Sequence, residues 1–476
     1  MSEAIGEMIL PGTYIEVRSE GLIGVGGIST GNIGVVGTAN RGPVGKAVIL
    51  GSYGEALDVF GSCDRYAGGP ATPLTLTRTL EQVFKGGGST VYAVRVANLA
   101  ADTTMKTMSW RARSAAPAAL FTLNATSPGT WANAIEVSFV AATGTLTLTL
   151  GRLKESHTGA NAGALFDALV DGSRLVEPSG LADADRGTAV SAVTAATVAE
   201  GGGPGGPDGA AGTASELASG LAQLALQPVN IVVAGGFSAK EAAATMLAHL
   251  EETENDGRER IAVMGASSDV PATLVSDDVS KASNPRLVLV APGIVADDAA
   301  RVGERNKRVT LPASYAAALV AGRMATLAPH ISLTNKDVAA DDLARDYTRA
   351  EQKNLLNNRV MLLVKTFGIR VLKGVSTDTG AFKQVSVRRI VDYAKAGVRL
   401  GSNPYIGRLN NSRVRAALKA TLDGFLSGMV LDEMLVGYEL DVSATRAQEI
   451  NGQAIVTMTL QPTFSIDFVK VIMNLS

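Results

Sequence analysis

Short apolar runs alternate with helical stripes over two stretches of this chain, and their spacing predicts an α/β fold. In the first stretch a helical pattern at 73–84 is flanked by three β-rich runs, at 32–37, 46–50 and 90–96. In the second stretch we predict buried strands at 229–233, 260–264 and 287–290, and helices at 217–224, 242–250 and 314–324. Strands that alternate with helices at this spacing indicate a largely parallel sheet covered on both faces.

Between these stretches, from residue 98 to about residue 200, threonine, alanine and serine dominate the composition. Apolar and polar residues alternate at 134–140 and 145–150, which is typical of strands with one solvated face. The region ends in the glycine- and proline-rich segment 201–209, the clearest linker in the chain. We therefore predict an inserted β-rich domain.

The last hundred residues follow a different pattern. Two helices are predicted at 388–396 and 412–428, followed by strands at 434–441 and 453–460. A final extended segment covers 464–476. Apolar and polar residues alternate along it, and the apolar positions switch to the other face where the two apolar residues Phe468 and Val469 are adjacent. This change predicts a bulge, or a strand that is paired on both edges.

The N-terminus also has an extended segment, at 11–18, and a glycine-rich stretch follows it at 21–30. A segment with this much glycine is not expected to form a stable strand by itself. Both ends of the chain are thus strand-prone without a local partner, and isolated strand pairs are marginal in water. We interpret both ends as arms.

Composition and charge limit the classes of function that the chain can have. The chain has 476 residues, of which 46% are hydrophobic and 18% charged, which suggests two to four domains with sizeable cores. A net charge of −2 and 5% aromatic residues give no general case for nucleic-acid binding. No signal peptide pattern is present and the apolar runs are too short for a bilayer, so we expect a chain made in a cytoplasm, without membrane insertion.

Catalytic and metal sites find little support in the sequence. Its three histidines, His157, His249 and His330, have no flanking pattern that would place them beside an activated serine, and they form no metal cluster. We interpret them as surface or helix histidines. The single cysteine, Cys63, excludes an internal disulfide and is expected to be a buried small residue. We predict no cofactor.

Two glycine patterns weakly suggest a nucleotide site. Gly31, Gly34 and Gly37 are spaced by three, and Ser29 stands where a G-x-G-x-x-G motif would need its third glycine. Residues 40–46 end like a P-loop, but Ala47 replaces the magnesium-binding hydroxyl. We favour tight turns at these positions.

A series of segments in a fixed order resembles the phage tail sheath family. From the linker onward they are 201–209, 228–236, 257–263, 311–323 (LPASYAAALVAGR), 369–374 and 385–393. Residues 11–16 and 34–44 resemble the start of such sheaths. None of these segments is a catalytic motif, and their order over 10–97 and 200–476 carries the resemblance. Residues 98–199 fall where such sheaths carry variable surface domains.

The resemblance implies an α/β multidomain protein whose subtilisin-like αβα sheath core is a structural block without a catalytic triad. It also implies an α+β C-terminal domain and arms that exchange strands between subunits. The implied division is an N-terminal arm and hinge at 1–25, core at 26–97 and 201–375, the inserted domain at 98–200, the C-terminal domain at 376–460 and the C-terminal arm at 461–476.

An extended arm can complete the sheet edge of a neighbour through main-chain hydrogen bonds. We expect the inter-subunit strands to use Tyr14, Ile15, Glu16, Val17, Phe464, Ile466, Phe468, Val469, Val471 and Met473. The hinge candidates are Gly21, Gly24, Gly26, Gly27, Gln461 and Pro462.

Basic residues cluster near the C-terminal helices: Arg388, Arg389, Lys395, Arg399, Arg408, Arg413, Arg415 and Lys419. One interpretation is a solvated helix face. The sheath resemblance instead implies that part of this set faces an inner tube, for which we favour Arg413, Arg415 and Lys419.

The implied function is a structural subunit of a contractile tail sheath in a virion, assembled in the bacterial cytoplasm. It would polymerise helically with itself around the tail tube protein, meet baseplate and tail terminator proteins, and contract to drive the tube through the host envelope. The alternatives are the sheath of an R-type bacteriocin or extracellular injection system and, more distantly, an α/β enzyme. A type VI sheath is disfavoured, since it is usually split between two chains.

Overall fold

The computed structural model describes residues 27–68, 74–97, 107–112, 119–127, 129–151, 153–189, 193–201 and 212–473. Its internal contacts divide the chain into two units. The large unit comprises residues 31–326 and 334–380, and the small unit comprises residues 1–30, 327–333 and 381–476. The finer domain boundaries given above stay predictions.

Several predicted features lie outside the described residues. They are the strand residues Tyr14, Ile15, Glu16 and Val17, the hinge candidates Gly21, Gly24 and Gly26, and residues 202–209 of the linker.

The large unit begins with the first α/β segment. Its elements are β1 (Ile33–Gly37), β2 (Ala47–Leu50), α1 (Tyr53–Phe60), α2 (Leu76–Lys85) and β3 (Val91–Arg95). The strands and α2 confirm the pattern. Helix α1 was not predicted; Ser52 caps it by accepting the N–H of Glu55 over 3.2 Å.

The inserted region follows, with β4 (Thr107–Ala112), β5 (Ala119–Ala125), β6 (Glu136–Val140), β7 (Thr145–Leu150), β8 (Leu153–Thr158), α3 (Ala162–Gly172), β9 (Val176–Ser179) and β10 (Val193–Gly201). The strands form two antiparallel sheets, in the orders β10-β4-β5-β9 and β6-β7-β8. Phe121, Trp131, Leu148 and Leu165 belong to a hydrophobic core that this region has to itself. The β-rich prediction is confirmed for its described residues, whereas α3 was not predicted.

The second α/β segment contains α4 (Ala214–Ala225), β11 (Ile231–Ala234), α5 (Ala239–Asn255), β12 (Ile261–Gly265), α6 (Pro271–Asp277), β13 (Leu287–Ala291), β14 (Ile294–Asp297), β15 (Arg308–Leu311), α7 (Ala313–Ala325), β16 (Asp342–Leu343), α8 (Arg349–Asn357), β17 (Met361–Thr366) and β18 (Gly368–Val371). Strands β14, β15 and β16 form a small separate sheet.

An eight-stranded sheet unites the two α/β segments, in the order β18-β17-β13-β12-β11-β1-β3-β2. Its six central strands are parallel, and only the edge strands β2 and β18 run antiparallel. The largely parallel sheet is therefore confirmed. Counted across the sheet from β3 to β17, the six parallel strands come second, first, third, fourth, fifth and sixth along the chain. This is the strand order of flavodoxin-like, doubly wound sheets.

Helices cover both faces of this sheet, and successive residues of β1 point to opposite layers. A Cβ atom built at Gly34 would lie 2.8 Å from the Leu224 side chain of α4. Ile33 faces the other layer, since its Cδ1 lies beside Gly88, just after α2. Helix α7 packs against α2 so closely that a Cβ at Gly322 would overlap the Val83 carbonyl oxygen.

A buried ion pair joins α2 to the loop after β14. Arg78 Nη2 donates to Asp298 Oδ1 over 3.1 Å, and both side chains are buried. Although burial opposes ionisation of Asp298, hydrogen bonds from the Tyr66 N–H and from Arg78 keep its pKa below the ordinary value. The pair therefore anchors the start of the loop that connects β14 to β15.

The small unit contains α9 (Val385–Ser402), α10 (Ser412–Leu431), β19 (Leu435–Ser443), α11 (Arg446–Ile450) and β20 (Ile455–Pro462). Strands β19 and β20 form an antiparallel two-stranded sheet. Ile390, Leu426, Met429 and Leu435 lie in the hydrophobic core of the unit. The two helices and two strands predicted from sequence are confirmed, with α9 beginning three residues earlier than expected.

Candidate functional site

The crevice beyond the carboxyl ends of parallel strands is the usual ligand site of a doubly wound sheet, at the point where strand order reverses. Here that point is the end of β1, between β3 and β11. The Thr38 carbonyl oxygen accepts the N–H groups of Thr75 and Leu76 over 3.0 and 2.8 Å. Two N–H groups at the start of α2, those of the N-cap Thr75 and of Leu76, are therefore bonded within the chain and are not available to a phosphate.

The glycines that suggested a nucleotide site have another role, and the tight-turn interpretation was wrong for two of them. Gly34 and Gly37 lie inside β1, where Gly34 permits close packing against Leu224. Turns do occur in the P-loop-like segment, where Gly42 and Gly45 adopt positive φ angles of 94° and 65°.

His249 is buried in α5, so it is a helix histidine but not a surface one. Arg260 Nη1 donates to its Nε2 over 3.1 Å. Burial, followed by the Arg260 charge, lowers the pKa of His249 to about 4. The ring is therefore neutral at neutral pH and serves as a hydrogen-bond acceptor in the core.

The other two histidines lie far from it in sequence. His157 Nδ1 lies 3.1 Å from the Ala168 carbonyl oxygen, and its Nε2 lies 3.6 Å from a Glu155 carboxylate oxygen. His330 is half-buried in the small unit. Cys63 is buried as expected, and burial raises the pKa of its thiol.

Among the described residues, no group of His, Cys, Asp and Glu side chains could hold a metal ion. Within the same residues, no helix is long and apolar enough to span a membrane.

The C-terminal segment is the largest run of exposed apolar side chains in the described chain. Residues 463–473 have no regular secondary structure. Their apolar side chains are between 62% and 84% exposed: Phe464, Ile466, Phe468, Val469, Val471, Ile472 and Met473. Apolar surface of this kind usually marks an interaction site. Whether this segment forms an inter-subunit strand stays a prediction.

The hinge proposed before this segment needs correction. Gln461 and Pro462 are the last residues of β20, where they pair with Gly437 and Leu435. Because paired strand residues are fixed by their neighbours, the chain leaves the sheet only after Thr463, whose N–H still donates to the Met434 carbonyl oxygen over 3.1 Å. The remaining N-terminal candidate, Gly27, has a positive φ of 81° and open space around its Cα.

The basic cluster is not one solvated helix face, because Arg388 and Arg389 are buried. The Arg388 Cζ atom lies over the Phe382 ring, 4.3 Å from its centroid, and Arg388 Nε donates to Asp392 Oδ1 over 3.0 Å. Arg389 donates to the carbonyl oxygens of Leu327, Ala328 and Thr30 over 2.8, 3.3 and 3.4 Å. Arg389 therefore holds together the three separate chain segments of the small unit. Nothing in the sequence distinguishes these two arginines from their exposed neighbours.

The three tube-facing candidates on α10 differ in environment. Arg415 is largely buried and pairs with Glu449 of α11 over 3.0 Å, with a further bond to Asn410 over 2.8 Å. Arg413 is exposed, and Lys419 is exposed with a loose 3.7 Å pair to Asp441. Arg415 therefore has a structural role that its sequence position did not reveal. Arg413 and Lys419 remain candidates.

Comparison with known proteins gives a consistent result. The profile of the phage tail sheath protein central domain matches residues 210–377, and that of the phage tail sheath C-terminal domain matches residues 377–476. Together these matches span more than half of the chain. A tail sheath protein of Bacillus phage SP01 is 27% identical over 205 residues, which are 41% of this chain and 35% of that relative.

Solved structures show the same fold at low identity. The sheath tail protein of Listeria innocua aligns with a TM-score of 0.65 and 14% identity, over 92% of this chain and 93% of its own. The sheath complex of the PVC extracellular contractile injection system, in its contracted state, aligns with a TM-score of 0.56 and 13% identity, over 99% of this chain and 98% of its own.

These relatives are structural sheath proteins, and the two matching profiles follow each other along the chain without a gap. The chain therefore belongs to the phage tail sheath protein family.

Proposed function

We propose that this chain is the subunit of a contractile sheath, which polymerises helically around a tail tube and contracts to drive the tube through a host cell envelope. The observation that carries this proposal is the exposed apolar segment 464–473, which directly follows a two-stranded sheet. A lone chain leaves this surface in water, whereas a neighbouring subunit would bury it.

The acceptor for such a segment is present in the same unit. In the described residues the β19–β20 sheet has only two strands, so each strand leaves one edge unpaired. An extended segment that adds to such an edge forms main-chain hydrogen bonds of about 0.5–1.5 kcal/mol net each. Because the donor and acceptor surfaces differ, repeated addition generates an open helical polymer.

The large unit acts, on this proposal, as a rigid block without catalysis. Its support is an eight-stranded sheet at whose strand-order reversal the Thr38 carbonyl oxygen already accepts the N–H groups of Thr75 and Leu76. A subtilisin-like ancestry rests on the family resemblance alone, and the observed flavodoxin-like strand order does not favour it.

Contraction follows if the strand contacts persist while the subunits move as rigid bodies about flexible connections. We place the C-terminal hinge directly after Thr463, where main-chain pairing with the β19 side ends, and one N-terminal hinge at Gly27. We place the exposed Arg413 and Lys419 against an acidic tube. Tube, baseplate and terminator proteins are the partners that this function requires, and the assembled particle is its location.

Negative-stain microscopy of the purified full-length chain tests this function. Helical tubes are expected. Deletion of residues 463–476, or of residues 1–20, is expected to abolish the tubes while the circular dichroism spectrum and melting temperature stay those of a folded chain. Dispersed particles from the full-length chain at high concentration would count against the sheath function, and tubes from either deletion variant would refute the arm mechanism.

A sheath from a bacteriocin or an extracellular injection system is the alternative, and the fold likeness to the PVC sheath supports it equally. Neighbouring capsid genes would indicate a phage, and their absence beside tube and baseplate genes would indicate an injection particle.

A further inference from the structure

We propose that the tip of the β14–β15 hairpin docks against the ends of α4 and α5 on a second copy of this chain. The hairpin tip comprises residues 298–308, and the receiving surface, which we call the acidic edge, comprises residues 226 and 251–256. This contact rests on the sheath function proposed above, and it is separate from the terminal arms.

The hairpin tip presents an exposed apolar residue beside unpaired cations. Val302 is 84% exposed at a turn completed by Gly303, whose φ is 79°. Arg301 forms an ion pair with Asp298 at 3.6 Å, and Glu304 forms one with Arg65 at 3.2 Å.

Two further cations of the tip remain available. Arg305 and Lys307 are exposed and form no ion pair with any residue that the structure describes. The tip therefore carries free positive charge next to an apolar contact.

The acidic edge has the complementary composition. Helix α5 ends with Glu251, Glu252 and Glu254, and Asp256 caps it, with no basic residue in its last turn. Negative charge at this end opposes the helix dipole, so it is unfavourable for the isolated helix. Glu254 is offset by Arg286 at 2.7 Å. The other three carboxylates have no ionic partner within the described part of the chain.

An apolar residue accompanies this negative charge. Leu226, at the end of α4, is 68% exposed. Arg258 Nη1 donates to the neighbouring Ala225 carbonyl oxygen over 2.7 Å, which holds the end of α4 beside the segment that follows α5. Each surface therefore combines one apolar contact with charges around it, as the centre and rim of protein interfaces do.

The sheet places these two surfaces at opposite edges of the large unit. The acidic edge leads into the start of β12 at Ile261, whereas β14 begins at Ile294, just after β13 ends at Ala291. Strands β12 and β13 are parallel, so the acidic edge lies at their amino ends and the hairpin begins at their carboxyl ends. These two ends are separated by the length of a five-residue strand, about 15 Å. A chain cannot join its own two surfaces, but a row of copies can join them head to tail, which gives an open polymer.

Exposed ion pairs are weak and screened by salt, so this contact contributes orientation and association rate more than affinity. Such a contact suits an assembly whose subunits must shift against one another.

Cysteine cross-linking of the full-length chain tests the contact without depending on tube formation. One protein carries Val302→Cys, the other carries Asn255→Cys, and the native Cys63 is buried. After mixing and reaction with a short bis-maleimide, we expect mixed dimers in about fivefold excess over either self-linked dimer, because only opposite surfaces attract. A statistical ratio of mixed to self-linked dimers would overturn the proposal.

Charge reversal sharpens the test. Arg305→Glu with Lys307→Glu on the V302C chain is expected to lower the mixed-dimer yield about fivefold. Glu252→Lys with Asp256→Lys on the N255C chain should then restore the yield to within about twofold, since the pair is again complementary. The matched control is Lys353→Glu on the exposed side of α8, which should leave the yield unchanged. Failure of the second reversal to restore the yield contradicts the proposed pairing.

The two proposals fail in distinguishable ways. Tubes from the full-length chain together with statistical cross-linking would remove the hairpin contact and keep the sheath function. Specific mixed dimers without tubes would keep the contact and remove the sheath function.

Discussion

Arg389 donates from Nη2 to the carbonyl oxygen of Leu327 over 2.8 Å, across 62 positions of the chain. Within the residues that the structure describes, its guanidinium has no carboxylate partner, and burial lowers its pKa to about 10. A cation held by carbonyl oxygens alone remains charged at neutral pH. Of its three acceptors, the Ala328 carbonyl oxygen also accepts the N–H of Ile331 over 3.0 Å.

Arg389→Met should lower the free energy of unfolding by about 1–3 kcal/mol, because it removes a buried cation that donates to three chain carbonyl groups and leaves those of Leu327 and Thr30 without this donor. Urea denaturation measures the change. Arg413→Met on the exposed side of α10 is the matched control and should stay within about 0.5 kcal/mol of the parent. Equal stability of the two variants would show that Arg389 is not a structural centre of the small unit.

The close approach of α7 and α2 can be tested with a single methyl group. Gly322→Ala should lower the free energy of unfolding by about 1–3 kcal/mol, because the new Cβ overlaps the Val83 carbonyl oxygen and must push the helices apart. Gly424→Ala in α10, where nothing lies within 4 Å of the new Cβ, should instead raise stability by about 0.5–1 kcal/mol. Thermal or urea unfolding of both variants decides the sign of each effect.

The lowered pKa of His249 predicts that the free energy of unfolding decreases in acid. Its pKa is about 4 in the folded chain and 6.5 when unperturbed, so between these values the unfolded chain binds the additional proton. The contribution is complete above pH 6.5 and is lost as the pH falls towards 4. The loss between neutral pH and pH 4.5 is about 2.5 kcal/mol. His249→Gln should lose correspondingly less stability between pH 7 and pH 4.5 in urea titrations. An identical pH profile for parent and variant would assign the acid sensitivity to other groups.

Charges on α10 separate tube contact from folding. Arg413→Glu with Lys419→Glu should reduce tube-templated assembly and leave the melting temperature unchanged, since both side chains are exposed. Arg415→Ala should instead lower the free energy of unfolding by about 1 kcal/mol, because it removes the partner of Glu449. Sedimentation of templated sheaths and thermal unfolding, measured on both proteins, provide the two readouts. Normal templated assembly by the double variant would eliminate this helix as the tube-facing surface.

The sequence located the core strands well for a physical reason. Strands β12 and β13 are buried on both faces, so they read as uninterrupted apolar runs, such as Ile261–Gly265 and Leu287–Ala291. The eight-residue helix α1 buries only Ala56 and Phe60, which is too short a stripe to stand out. The β14–β15 hairpin was also missed, although its run of charged residues at 301–308 is visible in the sequence.

The environments of charged side chains were not predictable. Arg413 and Arg415 are two positions apart on one helix, and only the second meets a partner, Glu449, which lies 34 positions away. Likewise the exposure of residues 464–473 follows from the absence of a covering element in the described chain, not from their alternation. Periodicity identifies elements, whereas the partners of a side chain depend on tertiary packing.

The apolar segment 464–473 lies beyond the last paired residue of β20. Under the proposed arm mechanism, a chain cut at Thr463 would therefore keep its acceptor edges and lose its C-terminal donor strand. Such a chain would receive a neighbour but would not bind to the next one, so under this mechanism it would terminate polymer growth. Small amounts of C-terminal proteolysis would then shorten the polymer far out of proportion to the fraction cut, and mixing in the truncated protein would act as a dominant inhibitor of growth.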